Sequence, residues 1–306
     1  MLKLNVQKKG SLVGHKDCLY TLSPDQNPRY FYSSGGDGMV VRWDLAQPEI
    51  GDLIIKVDNS VYALATIPQR NQMLVGHNYD GVHLIDLEQK KEITSVKLTD
   101  AAIFDLAIWE NTILVAGGDG VVIVLDYPSL AVRKHLKASD KSARSISINP
   151  IERAFAVGYS DHHIRVFGLK DLDLHHHIPA HTNSVFTVCY SPDGKYLLSG
   201  SRDAHLKSWS VEQQYGLAES VVAHMYAINH ITFDQSGRYF ASCSMDKSIK
   251  VWDYAQFKLL KVIDKGRHAG HGTSVNKLFW SPFENLLVSA SDDRQVAVWD
   301  LEFYEA

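Results

Sequence analysis

A histidine, an aspartate 22 residues on and a tryptophan six residues after that recur four times along the chain. The sets are His15, Asp37 and Trp43; His181, Asp203 and Trp209; His224, Asp246 and Trp252; and His271, Asp293 and Trp299. In each, a serine stands four residues before the aspartate: Ser33, Ser199, Ser242 and Ser289. A fixed period of this kind marks a repeat architecture, in which stacked units bury a core that no unit buries alone. Three weaker copies fill the gap between the first two sets. They place Ile85, Leu125 and Phe167 where the others have tryptophan, which gives spacings of 42, 40, 42, 42, 43 and 47 residues along seven units.

Each unit reads as short strands. In the fifth, "VFTVCYSP" alternates, Pro192-Asp193-Gly194 turns the chain, "YLLSGS" follows, and "RDA" turns it into "HLKSWSV". Four strands per roughly 40–45 residues is a propeller blade. Trp43-Asp44, Trp252-Asp253 and Trp299-Asp300 end their strands with a Trp-Asp pair, and Val13–His15 carries a Gly-His. On these residues the chain resembles the WD-repeat β-propeller family over about residues 1–301. The resemblance implies an all-β, seven-bladed β-propeller with four antiparallel strands per blade, one domain over residues 1–306. After "QVAVWDL" only "EFYEA" remains, so the last blade lacks a fourth strand. The family implies that "LNVQKKGSLV" supplies it, and an open sheet edge gives a physical motive.

Ser, His and Asp together suggest a hydrolase. Four copies at one structural position argue against catalysis, and the resemblance implies a buried hydrogen-bond chain instead: Trp N–H to Ser, Ser O–H to His, His N–H to Asp. The weaker units lose donor and acceptor together, with Gly76, Val115 and Val157 at the serine position, while Asp80, Asp119 and Asp161 remain. Removing both partners is nearly neutral, whereas removing one strands a buried polar group.

Other motifs carry less. "AGGDGVV" at 116–122 looks like a phosphate loop, but a strand pattern follows where a helix is needed. His175–His177, with His162, His163 and His181 nearby, suggests metal binding, but neighbours on a strand point to opposite faces and no known ligand spacing is completed. The expectation is therefore no metal and no cofactor. Three cysteines without C-x-x-C spacing point to a reducing, cytoplasmic setting. A net charge of −4 argues against nucleic-acid or anionic-membrane binding. "MLKLNVQKKG" has no signal-peptide pattern, no apolar run reaches membrane length, and no further domain is recognised beside the propeller.

The resemblance places partner-binding positions five residues after each histidine and one before each turn aspartate. The first set is Tyr20, Tyr62, Phe104, Arg144, Phe186, Asn229 and Asn276; the second includes Tyr79, Arg202 and Met245. Tyr, Phe, Met and Arg are types enriched in interface cores. Alternation also allows these aromatics to be core, and sequence alone leaves both readings open. The expected function is a non-enzymatic scaffold for a protein or peptide. The alternative is a propeller enzyme or small-ligand binder using the mouth of the channel.

Overall fold

A computed structural model describes residues 2–305. Its regular elements are strands, apart from a four-residue helix, Lys265–His268, and a 3-10 turn, Phe283–Asn285. Seven antiparallel sheets of four strands each make it an all-β seven-bladed propeller. No helix among the described residues is long and apolar enough to cross a membrane. The chain divides into two compact units, one of residues Asn59–Ile228, the other of the residues up to Asp58 and from Asn229 onward.

The first unit holds four blades. Blade two is Val61–Ile67, Gln72–His77, Gly81–Asp86 and Lys91–Lys97; blade three is Ile103–Trp109, Thr112–Gly117, Val121–Asp126 and Ala131–Lys137. Blade four is Ala143–Asn149, Ala154–Tyr159, His163–Gly168 and Leu174–Pro179; blade five is Val185–Tyr190, Tyr196–Ser201, His205–Ser210 and Gly216–Val222. Second strands such as Ala154–Tyr159 are buried along their whole length, whereas the fourth strand Lys91–Lys97 is largely exposed. A strand buried on both faces reads as a continuous apolar run, a solvated one as alternation. The core lies between neighbouring blades. Leu114, Val122 and Val124 of blade three meet Phe155, Val157 and Phe167 of blade four in one cluster.

Each first strand would leave a row of edge N–H groups. Side chains of the preceding blade take several of them. Asp105 Oδ2 accepts from Ile146 N (2.8 Å), Ser145 Oγ from Val188 N (3.2 Å) and Ser147 Oγ from Tyr190 N (2.9 Å).

The second unit holds blades one, six and seven. Blade one is Leu19–Pro24, Tyr30–Gly35, Met39–Asp44 and Asp52–Lys56; blade six is Ile228–Phe233, Tyr239–Ser244, Ile249–Asp253 and Lys258–Ile263. Blade seven is Val275–Trp280, Leu287–Ser291, Val296–Glu305 and Leu2–Leu12. The N-terminal strand is thus the fourth strand of blade seven, antiparallel to the third from Lys3↔Tyr304 to Leu12↔Val296. Residues 302–305, which the sequence left as a remnant, extend that third strand to 10 residues. Leu4 is buried, and Phe303 stacks on Tyr239 at 3.8 Å between ring centres. The 47-residue spacing contains the short helix, capped by the Asp264 carboxylate on Arg267 N at 2.9 Å.

Cross-strand pairing explains the period. Trp43, Ile85, Leu125, Phe167, Trp209, Trp252 and Trp299 each lie opposite an apolar residue of the second strand: Phe31, Met73, Ile113, Phe155, Leu197, Phe240 and Leu287. The same pairing corrects blade two. Val75 faces His83 there as Ser33 faces Val41 in blade one, so Val75, not Gly76, holds the serine position. Tyr79, not Asp80, then stands where the other blades have the turn aspartate. The backbone agrees, since Asp80 N donates to His77 O as Gly38 N does to Gly35 O.

Candidate partner-binding surface

The four-residue chains form as buried networks. In blade one Trp43 Nε1 donates to Ser33 Oγ (2.7 Å), Ser33 Oγ meets His15 Nε2 (2.8 Å), and His15 Nδ1 meets Asp37 (3.0 Å). Blade five repeats this through Trp209, Ser199, His181 and Asp203 at 2.9, 2.7 and 3.1 Å. Blade seven does so through Trp299, Ser289, His271 and Asp293 at 2.8, 2.8 and 2.9 Å. In blade six Trp252 Nε1 donates to Ser242 Oγ at 3.0 Å, and His224 is buried. The indole can only donate, so serine accepts from it and gives its own proton to Nε2, which puts the histidine proton on Nδ1 toward aspartate. Burial lowers the pKa of His15 and His181 against their aspartates, consistent with neutral rings. Ser33, Ser199, Ser242 and Ser289 are fully buried, each with an indole N–H on its Oγ. No substrate reaches a nucleophile so enclosed.

Blade four shows how a weaker unit replaces the chain. Ser139 takes the histidine position and donates to Asp161 Oδ2 at 2.7 Å. Arg165 adds two bonds to the same carboxylate at 2.7 and 3.1 Å. Burial alone would raise the Asp161 pKa, but these donors outweigh it and bring it down to about 2.

The partner positions share one local device. The residues from Leu19 to Thr21, Val61 to Ala63, Ile103 to Asp105, Ala143 to Ser145, Val185 to Thr187 and Val275 to Lys277 each carry a β-bulge. The extra residues are Tyr20, Tyr62, Phe104, Arg144, Phe186 and Asn276. A bulge breaks the period of two and re-aims its extra residue. Alternation therefore does not hold across this position. Val185 and Thr187 flank the bulge and are both buried; Phe186 between them is only half-buried.

In the four-blade unit the bulge residues of successive blades touch. Tyr62 stacks on Phe104 with ring centres 5.6 Å apart and planes 17° from parallel. The Arg144 guanidinium lies 4.1 Å from the centre of Phe104 and 5.2 Å from that of Phe186. Its Nε donates to Ser160 Oγ at 2.9 Å. Burial lowers its pKa, with Tyr62 opposing. Among the described residues no carboxylate forms an ion pair with Arg144. Serines tie the blades here: Ser142 Oγ donates to Gly118 O (2.9 Å) and Ser184 Oγ to Ser160 O (3.3 Å).

Other predicted positions fare differently. Tyr79 is 55% exposed but sits one residue later than supposed. Asn78 fills the intended place and is fully buried, its Nδ2 donating to Ser60 Oγ (3.1 Å) and its Oδ1 accepting from Ile103 N (2.8 Å). Arg202 and Met245 are exposed, and Tyr20 is half-buried. In blades six and seven the corresponding position carries amides that bond to the neighbouring blade. Asn276 Nδ2 donates to Leu19 O (2.8 Å) and Asp292 Oδ1 (2.7 Å), and Asn229 Nδ2 to Val275 O (2.8 Å). Position alone had grouped these amides with the aromatics; asparagine is not among the residue types enriched in interface cores.

Residues 116–122 form the hairpin expected there; at Gly120, φ is 83°, and a Cβ would run into the Ser139 carbonyl. The three adjacent histidines diverge: His175 bonds to Asp171 at 3.0 Å, His176 packs on Tyr215 and His177 on His163.

Comparison with known proteins agrees with this architecture. A family model described as WD domain, G-beta repeat matches residues 6–44, 172–210, 217–253 and 261–300. Each match runs from the outer strand of one blade through three strands of the next, those of blades one, five, six and seven; the first three strands of blades two to four, which lack the buried chain, fall outside. Protein groucho of Drosophila melanogaster is 24% identical over 215 residues, covering 67% of this chain and 28% of that protein. Striatin-3 of Homo sapiens is 23% identical over 205 residues, 67% of this chain and 22% of that one. Serine-threonine kinase receptor-associated protein of Gallus gallus is 22% identical over 212 residues, 69% of this chain and 60% of that one. The matched stretch therefore spans about a quarter of groucho and striatin-3.

Proposed function

The chain belongs to the WD domain, G-beta repeat family, and from that membership we propose a non-enzymatic adaptor that binds a protein or peptide over the bulge residues of its four-blade unit. The observation that carries this reading is Arg144, a half-buried cation clasped between Phe104 and Phe186 with no carboxylate beside it. A buried charge is ordinarily paired, because desolvation is costly. A partner segment that brings an acidic group to Arg144, with apolar side chains against Tyr62, Phe104 and Phe186, would complete both the charge and the apolar surface. Arg202, exposed nearby in sequence on blade five, suits the same kind of segment, since guanidinium binds carboxylate or phosphate in paired bonds. One relative is named for its association with a serine-threonine kinase receptor, which is in keeping with an adaptor role.

The test is a pull-down from native lysate with wild type, Arg144→Met, and Phe186→Ala/Arg202→Glu. Loss of the same captured protein in both variants, at unchanged melting temperature, is the expected result. Full retention in both would put binding elsewhere.

A further inference from the structure

Blade two has neither tryptophan nor serine in its network, yet it is not without polar order. The one-residue slip of its turn moves the aspartate off the position that meets the loop backbone in other blades. Asp80 instead turns toward His77, at the end of the second strand, and His83, on the third. Three potential ligand atoms converge. His77 Nδ1 and His83 Nε2 are 3.2 Å apart, His83 Nε2 and Asp80 Oδ2 are 3.2 Å apart, and His77 Nδ1 and Asp80 Oδ2 are 3.4 Å apart. Ligand atoms bound at about 2.0–2.1 Å to a tetrahedral ion stand about 3.3–3.4 Å from one another. His83 Nδ1 is held by Glu92 Oε2 at 2.6 Å, the carboxylate–imidazole arrangement that orients a metal-ligating histidine.

The three atoms thus stand at the corners of one triangle, at the mutual distances that a bound ion of this kind sets. We propose that His77, Asp80 and His83 form a binding site for a zinc-class divalent ion, with the fourth position left open. One contact works against this. Asn59 N donates to His77 Nε2 at 3.2 Å, whereas a ring that ligates through Nδ1 carries its proton on Nε2. Ligation through Nδ1 therefore opens that backbone bond, and the Asn59 side-chain amide, 3.4 Å from the same nitrogen, turns over to present its oxygen to the proton instead. The ion would fasten the second strand, turn and third strand of blade two, as the buried chain does in blades one, five and seven.

The experiment titrates chelator-treated full-length protein with Co²⁺, then Zn²⁺, reading visible absorption and calorimetric stoichiometry. One equivalent of Co²⁺ with a tetrahedral absorption band, displaced by Zn²⁺, is expected. Glu92→Gln should weaken binding about 10–100-fold. His83→Ala and Asp80→Asn should abolish the band, while His175→Ala retains it. Circular dichroism checks each fold, and Asp80→Asn serves if His83→Ala misfolds. Absence of binding by the folded wild type overturns the proposal. So does an equal band in the folded Asp80→Asn or His83→Ala protein, which would put the ion elsewhere.

Discussion

Trp209 and Ser199 allow the buried chain to be measured. Trp209→Phe removes the indole N–H that reaches Ser199 Oγ across 2.9 Å in a buried site. Ser199 keeps its bond to His181 at 2.7 Å but loses its donor. An orphaned buried acceptor costs about 1–3 kcal/mol, and the smaller ring adds a packing loss. Ser199→Ala in the wild-type background strands the indole N–H and His181 Nε2 together. In the Trp209→Phe background it strands only the histidine nitrogen. The two changes should therefore cost less together than their sum, with a coupling of about 1 kcal/mol or more within the usual range of about 0.5–3 kcal/mol. Blade four already holds such a double replacement, Phe167 with Val157, in an entirely apolar setting. The assay is urea unfolding of wild type, both single variants and the double variant. Additivity to within about 0.3–0.5 kcal/mol, the figure for independent sites, would refute the idea that the residues act as a chain.

Three further outcomes are expected. Removing residues 2–10 strips the fourth strand from blade seven and exposes Leu301, Phe303 and Trp299, so the melting temperature should fall sharply; an unchanged value would show that the strand is dispensable. Asp161 has its pKa lowered to about 2 from an unfolded value near about 3.9, so its roughly 2 kcal/mol is present above about pH 4 and lost as pH falls toward 2. Arg165→Met should destabilise at pH 7, and its deficit should shrink below pH 4; a deficit constant with pH would show that packing, not the ion pair, was lost. Asn78→Ala should cost about 1–3 kcal/mol in urea unfolding, while Tyr79→Gly, at a residue with φ of 65°, should be neutral or stabilising; the reverse order would restore the original register of blade two.

The period was visible because one cross-strand pair per blade demands a large apolar or aromatic residue in the third strand, and the buried chain demands its partners at fixed offsets. Where Ile85, Leu125 and Phe167 removed the polar demand, the period survived through volume alone. The slip in blade two was not visible, because Asp80 satisfied a search for an aspartate and the compensating shift from Gly76 to Val75 involves residues without polar markers. The bulges were hidden for a related reason: sequence alternation assumes an unbroken pleat. His77 and His83 meet only because a hairpin folds the second strand onto the third, and a spacing chosen for known metal motifs passes over them. The missing carboxylate beside Arg144 is a property of several blades at once, which no single segment could reveal.

The pairing of Lys3 with Tyr304 sets an order in time. Of the strands described, the first to be synthesised pairs with the last. Its neighbour in blade seven does not exist until nearly the whole chain has been made, and at roughly 5–20 residues per second that wait is roughly 15–60 seconds. Throughout it, Leu4, Val6 and Leu12 travel on a strand with no sheet to join, while six blades assemble downstream. The lysines at positions 3, 8 and 9 keep that waiting strand charged, a safeguard against pairing with a stranger during synthesis.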